Sequence, residues 1–95
     1  MSLAVDEKIA RFMGLRVAVR RGAGGLYLEV RSHGGYVEHG SVFEPGRRLE
    51  QLVPVAMAIV GKGGQIRVSF KLRTYYLRVS WAIDELNKRR YGRKK

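Results

Sequence analysis

The clearest pattern along the chain is a strict alternation of apolar and polar residues. Residues 15–20 and 26–31 both alternate, and the glycine-rich stretch at 21–25 separates them. A period of two is typical of a strand with one buried face, so the two segments predict a β-hairpin. Residues 36–43, broken by a glycine, predict a shorter third strand, and residues 66–73 predict a fourth.

Two further segments have apolar residues three and four positions apart, which is the period of a helix. Residues 2–13 follow this spacing, with Ser2 placed to cap the helix and a glycine after its end. The spacing returns from Leu49 to Val60, before a group of glycines. Pro54 lies inside this second segment and predicts a kink or a division near Val53, because proline lacks a backbone donor.

The last third of the chain allows two interpretations. Apolar residues spaced four, three, four and three predict a helix over 74–90. Apolar residues also occupy every second position from Tyr75 to Trp81, so the preceding strand could continue, with the helix starting at Ser80. We favour the longer helix.

These elements give the order α-β-β-β-α-β-α. An antiparallel four-stranded sheet with helices packed on one face, an α+β fold, is the expected architecture. The chain has 95 residues, enough for one core, so we expect a single domain over residues 1–90 and a basic C-terminal tail at 91–95.

The charge balance is strongly positive. Nineteen Lys and Arg residues oppose eight Asp and Glu residues, which gives a net charge of +11. Residues 1–87 hold 13 of these cations and all eight acids, so the tail alone does not account for the excess. Such a surface attracts polyanions, above all nucleic acid. The alternative is a solvated, charge-rich surface of a thermophile, and an arginine-rich chain without cysteine leans towards a thermophile.

Several classes of function are disfavoured. The chain has no cysteine, which removes disulfides and thiolate metal sites. No apolar run is long enough to span a membrane and no signal-peptide layout is visible, so we expect a cytoplasmic protein without membrane contact. His33 and His39 lack a metal-ligand spacing. We therefore expect no enzyme activity, no metal and no cofactor.

The candidate site is the polar face of the predicted sheet. If the apolar positions face the helices, the alternate positions share the opposite face. Cations there would contact phosphates, and Tyr27 would stack on a base. A plain solvated sheet face is the alternative. The candidate residues are Arg16, Arg20, Tyr27, Arg31, Arg67, Lys71 and Arg73.

Other aromatic residues are weaker candidates for base stacking. We expect Tyr76 and Trp81 to belong to the core, because an aromatic residue at helical spacing is more often packed than exposed. Tyr36 and Tyr91 remain open, and Tyr75 joins the polar face only if its segment is a strand.

Three stretches of the chain, LRVAVRRGAGGLYLEV, QIRVSFKLR and YYLRVSWAIDELNKRR, resemble the small ThermoDBP-related proteins of thermophilic archaea. The resemblance implies an antiparallel sheet over helices, binding of single-stranded nucleic acid with little sequence preference, and a tendency to oligomerise. The resemblance assigns a functional role to no individual residue of this chain.

The sequence thus favours a protein that binds single-stranded DNA or RNA, with a homodimer or higher homo-oligomer possible. The alternative is a structural component of a ribonucleoprotein or of chromatin that binds duplex phosphates. In that case a helical seam would mediate assembly. The seam consists of Leu72, Tyr76, Val79, Ile83 and Leu86.

Overall fold

The computed structural model of the protein describes residues 2–92. They form three helices and a two-stranded antiparallel sheet, so the α+β class is confirmed. In chain order the elements are α1 (Leu3–Phe12), β1 (Val17–Gly22), β2 (Gly25–Val30), α2 (Leu49–Gly61) and α3 (Leu72–Gly92). The predicted sheet of four strands is wrong for this part of the chain, which contains the two strands of one hairpin.

The hairpin forms where the alternation predicts it. Val17 pairs with Val30, and the register continues to Gly22 opposite Gly25, which leaves a two-residue loop. Gly25 has a φ of 109°, a conformation that side chains with a Cβ rarely adopt. The glycine-rich stretch is therefore the tight turn that lets the two strands pair.

The predicted third strand is reduced to a single bridge. Val42 pairs with Glu29 on the outer edge of β2. The Phe43 N–H donates to the Leu28 carbonyl at 2.8 Å, and the Val30 N–H donates to the Ser41 carbonyl at 2.9 Å. Gly40, with a φ of 90°, turns the chain here, its N–H donates to the Val30 carbonyl at 2.7 Å, and the strand pairing is confined to the one bridge.

The predicted fourth strand does not pair either. Residues 65–70 are not part of any helix or strand. Among the described residues, they make no backbone hydrogen bond to another backbone group. Ile66 packs against the core, but Val68 and Phe70 are exposed. The alternation here reflects a segment packed beside helices, because a period of two does not itself supply a partner strand.

The helices agree more closely with the sequence. The Ser2 hydroxyl accepts a hydrogen bond from the Val5 N–H at 3.3 Å, so the predicted cap of α1 is present. Helix α2 continues through Pro54, and the predicted division does not occur. Burial of Leu52 and Val55 on either side of the proline offsets the one lost hydrogen bond.

Helix α3 is the longer of the two alternatives and begins at Leu72, two residues before the predicted start. It ends at Gly92, so the first two residues of the predicted tail belong to the helix, and residues 93–95 lie outside the described residues. No helix within residues 2–92 is both long and apolar enough to cross a membrane.

The core lies between the hairpin and the three helices. Leu28 and Val30 of β2 are fully buried, whereas Val19 and Leu26 nearer the turn are 49% and 55% exposed. The tip of the hairpin therefore extends beyond the core. The helices contribute buried residues from each of their inner faces, namely Ile9, Ala10, Leu52, Val55, Ala56, Ile59, Tyr75, Tyr76, Val79, Ala82 and Ile83.

The seam on α3 that could have mediated assembly is used inside the molecule. Tyr76, Val79 and Ile83 are at most 2% exposed, and Leu72 and Leu86 pack against the same core. This face of α3 is consequently closed to a partner.

Helices α1 and α3 are joined by a buried polar contact. The Tyr76 hydroxyl donates to Asp6 Oδ1 at 2.6 Å. Burial raises the pKa of Asp6 to about 6, although the hydrogen bond from Tyr76 acts in the opposite direction. Nearby, the Lys8 ammonium donates to the Ser80 hydroxyl at 2.7 Å and to Asp84 at 3.0 Å.

Candidate functional site

The outer face of the hairpin brings together four of the seven predicted site residues. Arg20 lies directly opposite Tyr27 in the register. Arg16 and Arg31 are next to each other across the two strands, since the Arg31 N–H donates to the Arg16 carbonyl at 2.7 Å. Directly opposite residues in an antiparallel pair point to the same side, so all four belong to the face away from the core.

One carboxylate interrupts this face. Glu29 Oε1 accepts hydrogen bonds from Arg20 Nε at 3.1 Å and from Arg31 Nη1 at 3.2 Å. The bond from Arg20, followed by the bond from Arg31, lowers the pKa of Glu29, so it remains ionised at neutral pH. Three guanidinium groups against one carboxylate leave the face with a net charge of +2.

The shared carboxylate also fixes the geometry of the cations. Arg20 and Arg31 retain exposed side chains, at 48% and 46%, while both bond to the same oxygen of Glu29. Each guanidinium has five donors, so one bond to Glu29 leaves others free for an oxyanion. Arg20 and Arg31 are thus positioned and still available for phosphate.

Tyr27 lies partly buried beside the tip of the hairpin. A Cβ at Gly22 would be only 3.1 Å from Tyr27 Cε1, which means that the ring occupies the space left by the glycine. The ring is therefore supported by the backbone of β1 on the cationic face. An aromatic ring on the same face as guanidinium groups can stack on a base while the cations contact nearby phosphates.

The other three predicted residues are not on the sheet. Arg67 and Lys71 lie in the segment between α2 and α3, and Arg73 lies in the first turn of α3. All three are exposed. The single seven-residue face is therefore wrong, because the segment that carries these cations does not pair with the hairpin.

A second cationic surface with an aromatic residue forms around Arg67. Arg78 Nη1 donates to the Arg67 carbonyl at 3.1 Å and to the Val68 carbonyl at 3.3 Å, which ties α3 to the segment before it. Trp81, one turn further along α3, is 65% exposed. A shallow depression is lined by Gln65, Ile66, Arg67, Arg78 and Trp81.

Sequence reasoning missed this surface, since it assigned Trp81 to the core. The signal was present in the spacing. The buried seam of α3 includes Tyr76, Val79 and Ile83. Residues 77 and 81 are one turn apart from each other and fall outside that seam, so a helix over 74–90 places both on its exposed side.

The remaining candidates contribute little. The rings of His33 and His39 stack at 4.5 Å between centroids, but the described residues contain no cluster of three or more metal-binding side chains. Tyr75 is buried at 5% exposure. The Tyr36 hydroxyl donates to the Gln51 carbonyl at 2.9 Å, and burial raises its pKa. Tyr91 is within α3.

Comparisons with protein-family models, with curated proteins and with solved structures found no match for this chain. The resemblance to the ThermoDBP-related proteins stays an expectation from the sequence.

Proposed function

We propose that this protein binds single-stranded nucleic acid with little sequence preference, and that the outer face of the hairpin is its main contact. The observation that carries the proposal is the register of the hairpin. It places Tyr27 directly opposite Arg20, on the same face as Arg16 and Arg31. Sequence-tolerant binding of a single strand has two requirements: cations that can contact the phosphates, and a nearby aromatic ring that can stack on a base.

The charge of the whole chain supports the same function. A net charge of +11 on 95 residues creates a field that concentrates polyanions near the surface. The outer face of the hairpin points away from the core, and its Arg20 and Arg31 side chains are about half exposed, so an extended chain could reach this face without a steric barrier from the helices.

The surface around Trp81 offers a second contact of the same type. Trp81 is exposed and lines one depression with Arg67 and Arg78, and Arg78 is held in place by two carbonyl groups. Each stacked base contributes roughly 1 to 3 kcal/mol with little dependence on its identity, so two such sites would increase affinity without adding sequence preference.

A structural role on duplex nucleic acid is the alternative. The observation that favours it is the separation of the cations, since Arg67, Lys71 and Arg73 lie on a different element from the hairpin. Cations spread over more than one surface can contact duplex phosphates without using an aromatic ring. In that case Tyr27 would contribute nothing to binding.

The test is a pair of variants at one position. Tyr27→Ala removes the ring, whereas Tyr27→Phe keeps the ring and removes only the hydroxyl. Affinity for a fluorescent single-stranded oligonucleotide should fall by about 5- to 150-fold in Tyr27→Ala, which corresponds to the loss of one stacked base, and should be nearly unchanged in Tyr27→Phe.

Equal affinity in the wild type and both variants would refute the stacking role of Tyr27. A wild-type protein that binds neither single-stranded DNA nor single-stranded RNA would refute the proposed function itself.

A further inference from the structure

Helix α2 presents an apolar face to solvent. Leu49, Val53, Met57 and Val60 are four, four and three positions apart, so they lie along one side of the helix. They are 52%, 37%, 69% and 57% exposed, respectively. The opposite side of α2 supplies the core, so this helix is apolar on both sides, which is unusual for a surface helix.

The segment between α2 and α3 extends this apolar face. Val68 is 67% exposed and Phe70 is fully exposed. Val68 lines the same shallow depression as Met57 and Val60, which shows that the helix and the segment form one surface. All residues that line the depression are uncharged, namely Ala56, Met57, Val60, Ile66, Val68 and Tyr75.

The area of this surface is larger than a monomer normally exposes. From their exposed fractions, the six residues from α2 and the segment present on the order of 700 Å² of surface with their backbone atoms included, whereas the largest apolar patch on a typical monomer is about 300 to 600 Å². A stable dimer of standard size buries about 800 Å² on each partner. The exposed surface therefore comes close to one half of a dimer interface.

We propose that a second copy of this chain binds to this surface, here called the α2 face, and that the protein is a symmetric dimer. The α2 face consists of Leu49, Val53, Met57, Val60, Val68 and Phe70. A two-fold axis would bring the same apolar residues of both copies together, and no other protein is needed to cover them.

The backbone of residues 65–70 favours a second copy in particular. The segment has the alternation of a strand, yet within the described part of the chain its backbone makes no hydrogen bond to other backbone groups. The Arg67 and Val68 carbonyls accept from the Arg78 side chain, so the groups left for pairing are the N–H groups of residues 65–70 and the other carbonyls. An unpaired strand edge pairs readily with another strand. Two copies related by a two-fold axis present identical antiparallel edges, so each would supply the partner that the other lacks.

Dimer formation would also strengthen the proposed function, although it does not depend on it. Each copy carries its own hairpin face, so a dimer could hold one strand at two places and gain affinity through the linkage of the two contacts. The α2 face itself is uncharged and is built from elements other than the hairpin.

Sedimentation equilibrium of the nucleic-acid-free protein tests the proposal. At 10 to 100 μM, the wild type should have about twice the mass of the chain. Met57→Glu places a charge at the centre of the α2 face and should yield a monomer. Leu26→Glu changes the charge equally at a residue of similar exposure outside the α2 face, and it should remain a dimer.

A salt series distinguishes association through apolar surfaces from association of two copies through a bound polyanion. Two copies with a net charge of +11 repel each other. Raising salt from 0.1 M to 1 M shortens the Debye length from about 10 to about 3 Å, so the dimer should become tighter. Circular dichroism of Met57→Glu is the control for whether this variant is folded.

A wild-type monomer at 100 μM in 1 M salt would overturn the proposal. A dimer that persists in both Met57→Glu and a second variant, Val60→Glu, would overturn it as well. A monomeric wild type whose nucleic-acid affinity falls in Met57→Glu would instead assign the α2 face to nucleic acid.

Discussion

Replacing Asp6 with asparagine should change how the stability of the protein depends on pH. Asp6 is 6% exposed, and its one side-chain partner among the described residues is the Tyr76 hydroxyl at 2.6 Å. Burial disfavours the ionised carboxylate and raises the pKa of Asp6 from 3.8 to about 6 in the folded protein. Asp6→Asn keeps the shape and an acceptor oxygen, but it has no proton to lose.

The direction in which stability changes with pH follows from proton binding to Asp6. Between pH 4 and 6 the folded protein holds a proton on Asp6 that the unfolded chain has largely lost. The free energy of unfolding therefore decreases as pH rises through this window, by about 1.4 kcal/mol per pH unit. The total is about 3 kcal/mol, and the contribution of Asp6 is constant above the folded pKa.

The assay is urea unfolding of both proteins at pH 4, 5, 6 and 7. The difference between them isolates Asp6, because every other titrating group is common to both. The free energy of unfolding of Asp6→Asn minus that of the wild type should increase by about 2.4 kcal/mol from pH 4 to pH 7, because the remainder of the total lies below pH 4. A difference that stays constant with pH, or that decreases, would refute this description of the Asp6–Tyr76 contact.

Two further predictions concern the hairpin face. Glu29→Gln should raise affinity for single strands several-fold at low salt, because Arg20 and Arg31 lose a competing anion. The gain should shrink at high salt. A variant that binds with the same affinity as the wild type at every salt concentration would contradict this prediction. Arg16→Ala should reduce the slope of log affinity against log salt by about 0.7, the value for one phosphate contact on a single strand. Arg21→Ala, an equal charge change on the opposite side of β1, is its control and should reduce the slope less.

The sequence was sufficient for elements whose contacts are local. The hairpin follows from alternation on both sides of a glycine turn, and its pairing is fixed within residues 17–30. The cap of α1 depends on residues only three positions apart, Ser2 and Val5. Such features are encoded in short windows of the chain, which is where pattern reasoning is strongest.

The errors arose where the partner is distant in the sequence. Residues 66–73 alternate like a strand, but residues 2–92 contain no neighbouring strand for them, and residues 65–68 lie beside α2 and α3 instead. A pattern specifies which side of a segment is apolar and does not specify what covers it. The division of α2 at Pro54 failed for a related reason, because burial of its flanking residues outweighs a local defect.

The predictions for the candidate site were likewise correct where the contacts are local and wrong where they are distant in the sequence. The four residues on the hairpin were placed correctly on one face because they depend on the register alone. Arg67, Lys71 and Arg73 were assigned to that face only through the strand that does not form. Trp81 was missed because the core was assigned by residue type, whereas its phase along α3 indicated exposure.

The central claim is that the hairpin face binds single strands by stacking as well as by charge. The most direct measurement is fluorescence anisotropy with single-stranded DNA, single-stranded RNA and duplex DNA of equal length across a salt series. We expect tighter binding of the single strands and measurable affinity at high salt from the stacked bases. The slope of log affinity against log salt should be roughly −2 for the three arginines of the hairpin face, and roughly −3 to −4 when the cations around Trp81 also contact phosphates. Equal affinity for all three ligands that disappears at high salt would contradict the claim and would leave only an electrostatic attraction to phosphates.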